Sequence, residues 1–149
     1  MSYSWWIDQG LALLVEVTPS SNWDCTWPRV GRFAASIDDL VVDYSRPQET
    51  GHRAALRYLE VFDGSAARLR VGTVPDHAGH RPGFTLTRHT PQELDRARHP
   101  HELEPSEHVY LFVDDAVHGV GSRACGLDVQ PQHALWPSAR QFQLRFTAP

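Results

Sequence analysis

The chain has 149 residues, 41% hydrophobic and 21% charged, values of an ordinary folding sequence, and it falls far short of the roughly 250 residues of a catalytic (β/α)8 barrel. Its basic residues are all arginine and spread along the chain, and the net charge is −4, which speaks against nucleic acid as a partner. Two distant cysteines, Cys25 and Cys125, without zinc or redox spacing, read as a reduced cytoplasmic pair.

In chain order, "SWWID" and "LALLVEV" predict an opening hairpin turning at Gln9 and Gly10, with Leu11, Leu13, Val15 and Val17 on one parity. No basic leader precedes this apolar run, and Glu16 interrupts it before the roughly twenty residues of a membrane span, so neither a signal peptide nor a transmembrane helix is expected. A turn-rich connector follows, then "RVGRFAAS" and "DLVVDY" as short strands. "RAALRYLEVFDGSAARLRVGTV" reads as a second hairpin with Asp63 and Gly64 at its turn. "PDHAGHRPG" holds two prolines and two glycines and must be a loop.

"FTLTRH" is the next strand. Thr90, Pro91 and Glu93 then form the capping-box pattern of a helix start, with Arg96 and Arg98 near the helix end and Pro100 as its stop. Val109, Leu111 and Val113 alternate with Tyr110 and Phe112, as in a strand covered on both faces. Phe142, Leu144 and Phe146 alternate with polar residues, as in a strand half open to water. About ten short strands and one short helix predict an all-β fold, an antiparallel β-sandwich, with residues 1–149 as a single domain.

Several constellations could carry chemistry. "HPHEL" sets His99 and His101 two apart beside Glu102, with His108 further on. Zinc would need all of them to converge, and Pro100 after a helix favours a packing motif at the helix end, so no metal is assigned. The pairs Asp38–Asp39, Asp114–Asp115 and Glu102–Glu104 could suggest glycoside hydrolysis. Neighbours on a strand point to opposite faces, however, and such pairs more often make turns. Ser122 and Cys125 sit in no nucleophile elbow, and Gly119 to Gly121 is too short for a dinucleotide fingerprint. Trp5, Trp6, Trp23, Trp27 and Trp136 are core, sugar platform or interface.

"WPRVG", "RPQETGHRAALRYLEV", "TPQELDRARHPHEL", "LFVDDAVHGVGSRACG" and "FQLRF", in this order over residues 27 to 146, resemble the C-terminal small-chain domain (domain five) of large bacterial β-galactosidases, glycoside hydrolase family two. The resemblance implies a supersandwich fold related to galactose mutarotase. It also implies membership of an enzyme that hydrolyses terminal β-D-galactosides with retention, using two glutamates on a separate (β/α)8 barrel where magnesium and sodium bind. The chain itself is then expected to hold neither catalytic carboxylates nor cofactors.

On the same resemblance, Pro47, Gln48, Glu49, Gly51 and Arg53 form a structural turn in which Glu49 and Arg53 pair, and Gly119 and Gly121 set the path of a loop. Ser122, Arg123, Cys125, Gly126 and Asp128 of that loop face the substrate cleft. Gly126 stands where some members carry a substrate-stacking Trp. Relative to the family the chain lacks the first strands and a stretch between "FAASIDDL" and "VVDYSRPQE", so it is a fragment or a shortened relative. The partners implied are the catalytic barrel and its galactoside, with self-association of the isolated domain. The alternatives are a free-standing carbohydrate-binding module, or a mutarotase-like epimerase that would need a His and a carboxylate in one pocket.

Overall fold

The computed structural model describes residues 3–5, 11–17, 31–104, 106–117, 127–131 and 134–148. Their eight strands are β1 (Tyr3–Trp5), β2 (Leu11–Val17), β3 (Gly31–Ser36), β4 (Tyr58–Asp63), β5 (Ala66–Val74), β6 (Gly83–Thr87), β7 (Val109–Asp114) and β8 (Gln143–Thr147). They form a five-stranded sheet, ordered β3-β2-β4-β5-β8, and a three-stranded sheet, ordered β1-β7-β6. Every pairing between named strands is antiparallel. The fold is all-β, with α1 (Pro91–Arg96) as its short helix.

Period-two patterning explains the large sheet. In β4, Leu59 and Val61 share a parity and are buried, while Tyr58 and Glu60 take the other. Leu59 lies opposite Val71 and Val61 opposite Leu69, so apolar meets apolar across the hairpin until the register shifts at a bulge between Val61 and Phe62. The loop is Gly64–Ser65, with Gly64 at φ +59°, one residue later than the sequence reading placed it. On the outer face Arg70 reaches Glu60 at 3.5 Å and lies over the Tyr58 ring at 5.2 Å. Solvent screens that ion pair, so the register rests mainly on the buried face.

The core lies between the two sheets. Leu59, Val61 and Val71 from the large sheet meet Phe84, Leu86 and Val109 from the small one, with Ile37, Leu40 and Leu56 between them. Each of these side chains is at most 3% exposed, and burying one contributes roughly 1.5–3 kcal/mol.

Gly51, at φ +81°, lets the chain pass over Leu40: a Cβ there would lie 2.5 Å from the Leu40 carbonyl oxygen. Arg53 and Phe84 then exchange backbone hydrogen bonds of 2.8 and 2.9 Å, and Leu56 N–H donates to the Pro82 carbonyl at 2.8 Å. The segment after Gly51 therefore pairs with the outer edge of β6, which would otherwise be unpaired.

Three local expectations are corrected. β1 pairs with β7 and β2 with β3 and β4, so the opening segments belong to different sheets rather than to one hairpin. "DLVVDY" is no strand: Asp38–Leu40 is a 3-10 turn, and 41–44 have no regular structure. There, Asp39 accepts from the Ser36 hydroxyl at 2.7 Å, the local side-chain bonding that competes with a ladder. Finally, α1 ends at Arg96, leaving Arg98 outside the helix, and Pro100 opens a 3-10 turn, Pro100–Glu102, instead of stopping α1.

The helix start is as the sequence predicts. Thr90 Oγ1 accepts from the Glu93 N–H at 3.3 Å, and the Thr90 N–H donates to Glu93 Oε2 at 2.6 Å. Those hydrogen bonds hold the Glu93 carboxyl below its ordinary pKa, the backbone bond to Thr90 contributing most.

Candidate functional site

The core-averted face of the small sheet gathers the polar groups that its strands do not bury inward. Thr85 lies opposite Phe112 and Thr87 opposite Tyr110, on the parity away from buried Phe84 and Leu86. Glu49 and Thr50 approach from the segment before Gly51, and His89, Pro91 and Leu94 from the start of α1. Together with Asp114 these residues enclose a cavity of about 200 Å3.

His52 braces one side. Its Nδ1 lies 3.3 Å from Thr85 Oγ1 and 3.6 Å from Asp114 Oδ2. Burial lowers the His52 pKa and nearby Arg53 adds to this, while Asp114 opposes them. The side chain is 20% exposed, and burial outweighs its carboxylate contact. A Cβ on Gly83 would come within 2.5 Å of His52 Nε2, so that nitrogen faces the β6 backbone. The His–carboxylate contact that the epimerase alternative requires is present, yet only one imidazole nitrogen points toward the acid.

The "PQETGHR" residues divide by role. Gly51 and Arg53 shape the turn and the β6 edge through backbone, and Pro47 is half-buried. Gln48 and Glu49 are exposed. The expected Glu49–Arg53 ion pair is absent among the described residues: Arg53 Nη1 instead donates to the His52 carbonyl at 3.1 Å, and Glu49 faces the cavity. The half-buried arginine keeps its charge, although burial lowers its pKa.

Just past the end of β7, Asp115 meets two nitrogen-bearing side chains. His80 Nε2 lies 3.7 Å and Arg140 Nε 3.8 Å from its carboxylate, and His80 Nε2 is 2.6 Å from the Asp115 carbonyl oxygen. Leu135 and Trp136 flank the same hollow, Trp136 being 74% exposed. From here the chain enters the loop assigned to the substrate cleft. Gly119, Gly121, Ser122, Arg123, Cys125 and Gly126 lie outside the described residues. Asp128 is described: it is exposed and accepts from the Val129 N–H at 2.7 Å.

His99 and His101 are exposed, and their rings stack at 5.5 Å between centroids and 6° between planes. Glu102 accepts from the Arg98 N–H at 2.9 Å, so "HPHEL" ties down the turn after α1. Among the described residues no group of three His, Cys, Asp or Glu side chains is placed to hold a metal ion, and no helix is long and apolar enough to cross a membrane.

The cavity residues Thr85, Thr87 and Phe112 were not singled out from the sequence. Their signal is the polar parity of "FTLT" and the aromatic at the same parity of β7, which becomes a site only once the two strands are paired.

Two carboxylates, Glu49 and Asp114, therefore share one cavity. Hydrolysis needs such groups on opposite sides of a bond with sugar or leaving group on either hand. About 200 Å3 is below the roughly 300–1,000 Å3 of usual ligand pockets and is of the size of one small ring.

Comparison with known proteins gives the chain a family. A family described as β-galactosidase small chain matches residues 25–147. A β-galactosidase of an Arthrobacter species is 40% identical over 171 residues, covering 93% of this chain and 17% of its own length. Those of Vibrio cholerae and Actinobacillus pleuropneumoniae are 33% and 32% identical, covering 77% and 70% of this chain and 10% and 9% of their own. The chain thus spans less than a fifth of each of these relatives. The 171 aligned positions also exceed what 93% of 149 residues can fill, so the Arthrobacter protein has segments with no counterpart here.

Proposed function

Because the chain belongs to the β-galactosidase small-chain family, we propose that it serves as a non-catalytic C-terminal domain of a β-galactosidase. It packs on the catalytic barrel and shapes the aglycone side of a site where terminal β-D-galactosides are hydrolysed. In this reading the reacting carboxylates, with any magnesium and sodium, belong to the barrel, and the enzyme is cytoplasmic.

The observation that carries the reading is an overhang of the large sheet. Among the described residues the large sheet has five strands and the small sheet three, with β8 at one edge of the large sheet. Leu144 lies opposite Thr73 and Phe146 opposite Val71, both of which are buried. Yet Phe146 is 46% exposed, Phe142 on the same parity is 41% exposed, and Trp136 is more exposed still. Large aromatics exposed to this degree suit a surface that a partner covers, and the relatives carry more than four-fifths of their length outside the matched region.

The test is co-expression of this chain with the Arthrobacter relative truncated before its matched region. The expected result is a complex that co-elutes in gel filtration and hydrolyses a chromogenic β-galactoside, with assembly weakened at least tenfold by Trp136→Ser combined with Phe146→Ser. Two folded polypeptides that never associate would overturn the proposal.

A further inference from the structure

Nothing in the docking role uses the cavity on the small sheet, and its chemistry is specific. One wall is apolar, with Phe112, Pro91 and Leu94. The other carries hydrogen-bonding groups with capacity to spare. Thr87 Oγ1 accepts from the His89 N–H at 3.2 Å and Thr50 Oγ1 from the Val42 N–H at 3.2 Å, so each hydroxyl proton remains available to donate. Glu49 has no hydrogen-bond or ionic partner among the described residues, and Asp114 turns only Oδ2 toward His52. The carboxylates accept and do not donate.

These features select the ligand. Two carboxylates and no lining arginine exclude an anion. Acceptors along one wall call for a ligand with several O–H donors, and the aromatic wall calls for an apolar face on the same molecule. The volume admits one ring. We propose that this cavity binds a single neutral pyranose, its C–H face against Phe112 and its hydroxyls shared among Thr87, Thr50, Glu49 and Asp114. The proposal rests on the lining of this cavity alone and not on the docking role.

The test is a titration of the 15N-labelled 149-residue chain with D-galactose and, separately, D-glucose, followed by amide chemical shifts. The expected result is saturable shifts in the millimolar range that cluster at Thr85, Thr87, Leu94 and Phe112. Glu49→Ala, an exposed position where the fold is safe, should weaken binding about tenfold, the effect of losing one hydrogen bond to a charged group. Thr87→Val should do the same, with spectral changes in the free protein confined to the neighbourhood of Thr87 and the His89 amide that its hydroxyl accepts from. The absence of saturable shifts with either sugar overturns the proposal, as do shifts confined to the surroundings of Trp136. Propylamine saturating the same amides where the sugars do not would also overturn it, making the cavity a cation site. None of these outcomes bears on the co-expression test, which reads assembly and turnover.

Discussion

Glycine and histidine carry the sharpest consequences at the scale of single residues. Gly51 combines φ +81° with a Leu40 carbonyl oxygen 2.5 Å from any added Cβ, so Gly51→Ala is strained in backbone and in space. A cost of about 2 kcal/mol or more is expected, lowering Tm by roughly 4–8 °C for a chain of this size. Gly64→Ala, at φ +59° with open space around it, should cost clearly less; differential scanning calorimetry of both variants checks the ordering. His52 sets a pH dependence. Its folded pKa lies below the ordinary 6.5, so on acidification the unfolded chain takes up this proton first. The His52 contribution is therefore intact above the unfolded value and is lost as pH falls from there toward the depressed folded pKa. The urea midpoint should fall between pH 8 and pH 5, and His52→Asn should flatten that fall; equal slopes in the two proteins contradict the assignment. What the sequence left illegible here is direction. "PQETGHR" marks a turn, but Glu49 facing the cavity and Arg53 bonding to the His52 carbonyl depend on where β6 lies, and no local rule supplies that.

Elements were legible where local chemistry settles them and misread where partners do. The capping box at Thr90 lies within four residues, so sequence suffices for it. Thr90→Ala removes both the Oγ1 acceptor and the reciprocal arrangement with Glu93, and it should destabilise the chain by about 1 kcal/mol in chemical unfolding. Thr90→Ser should restore most of that loss. Strand pairing is non-local. Two apolar runs separated by Gln9 and Gly10 satisfy every local criterion for a hairpin, yet β1 joins β7, more than a hundred residues away, and β2 sits between β3 and β4. "DLVVDY" failed for a related reason: Val41 and Val42 have strand propensity but are 37% and 41% exposed, with no neighbouring strand to pack against. β-propensity describes a fit to a half-buried surface, and none is available at that point.

At the scale of the molecule, the antiparallel all-β fold and the short helix α1 were readable from alternation and the capping box, whereas the unequal sheets of the described residues were not. The overhang at β8 follows from pairing order, and it turns Phe142 and Phe146, which the alternation marks as inward, into partly exposed aromatics. The chain studied alone should therefore associate with itself through this face. Sedimentation velocity is expected to show concentration-dependent oligomers that Trp136→Ser with Phe146→Ser reduces to monomer; an unchanged distribution would place the contact elsewhere. In the proposed role this chain contributes surface, and no hydrolytic chemistry, to β-galactoside cleavage. Incubating the purified chain by itself with a chromogenic β-galactoside tests it most directly. The account expects no turnover above the buffer rate at any pH from 5 to 8, whereas hydrolysis that persists through purification and disappears with Glu49→Gln or Asp114→Asn would contradict it.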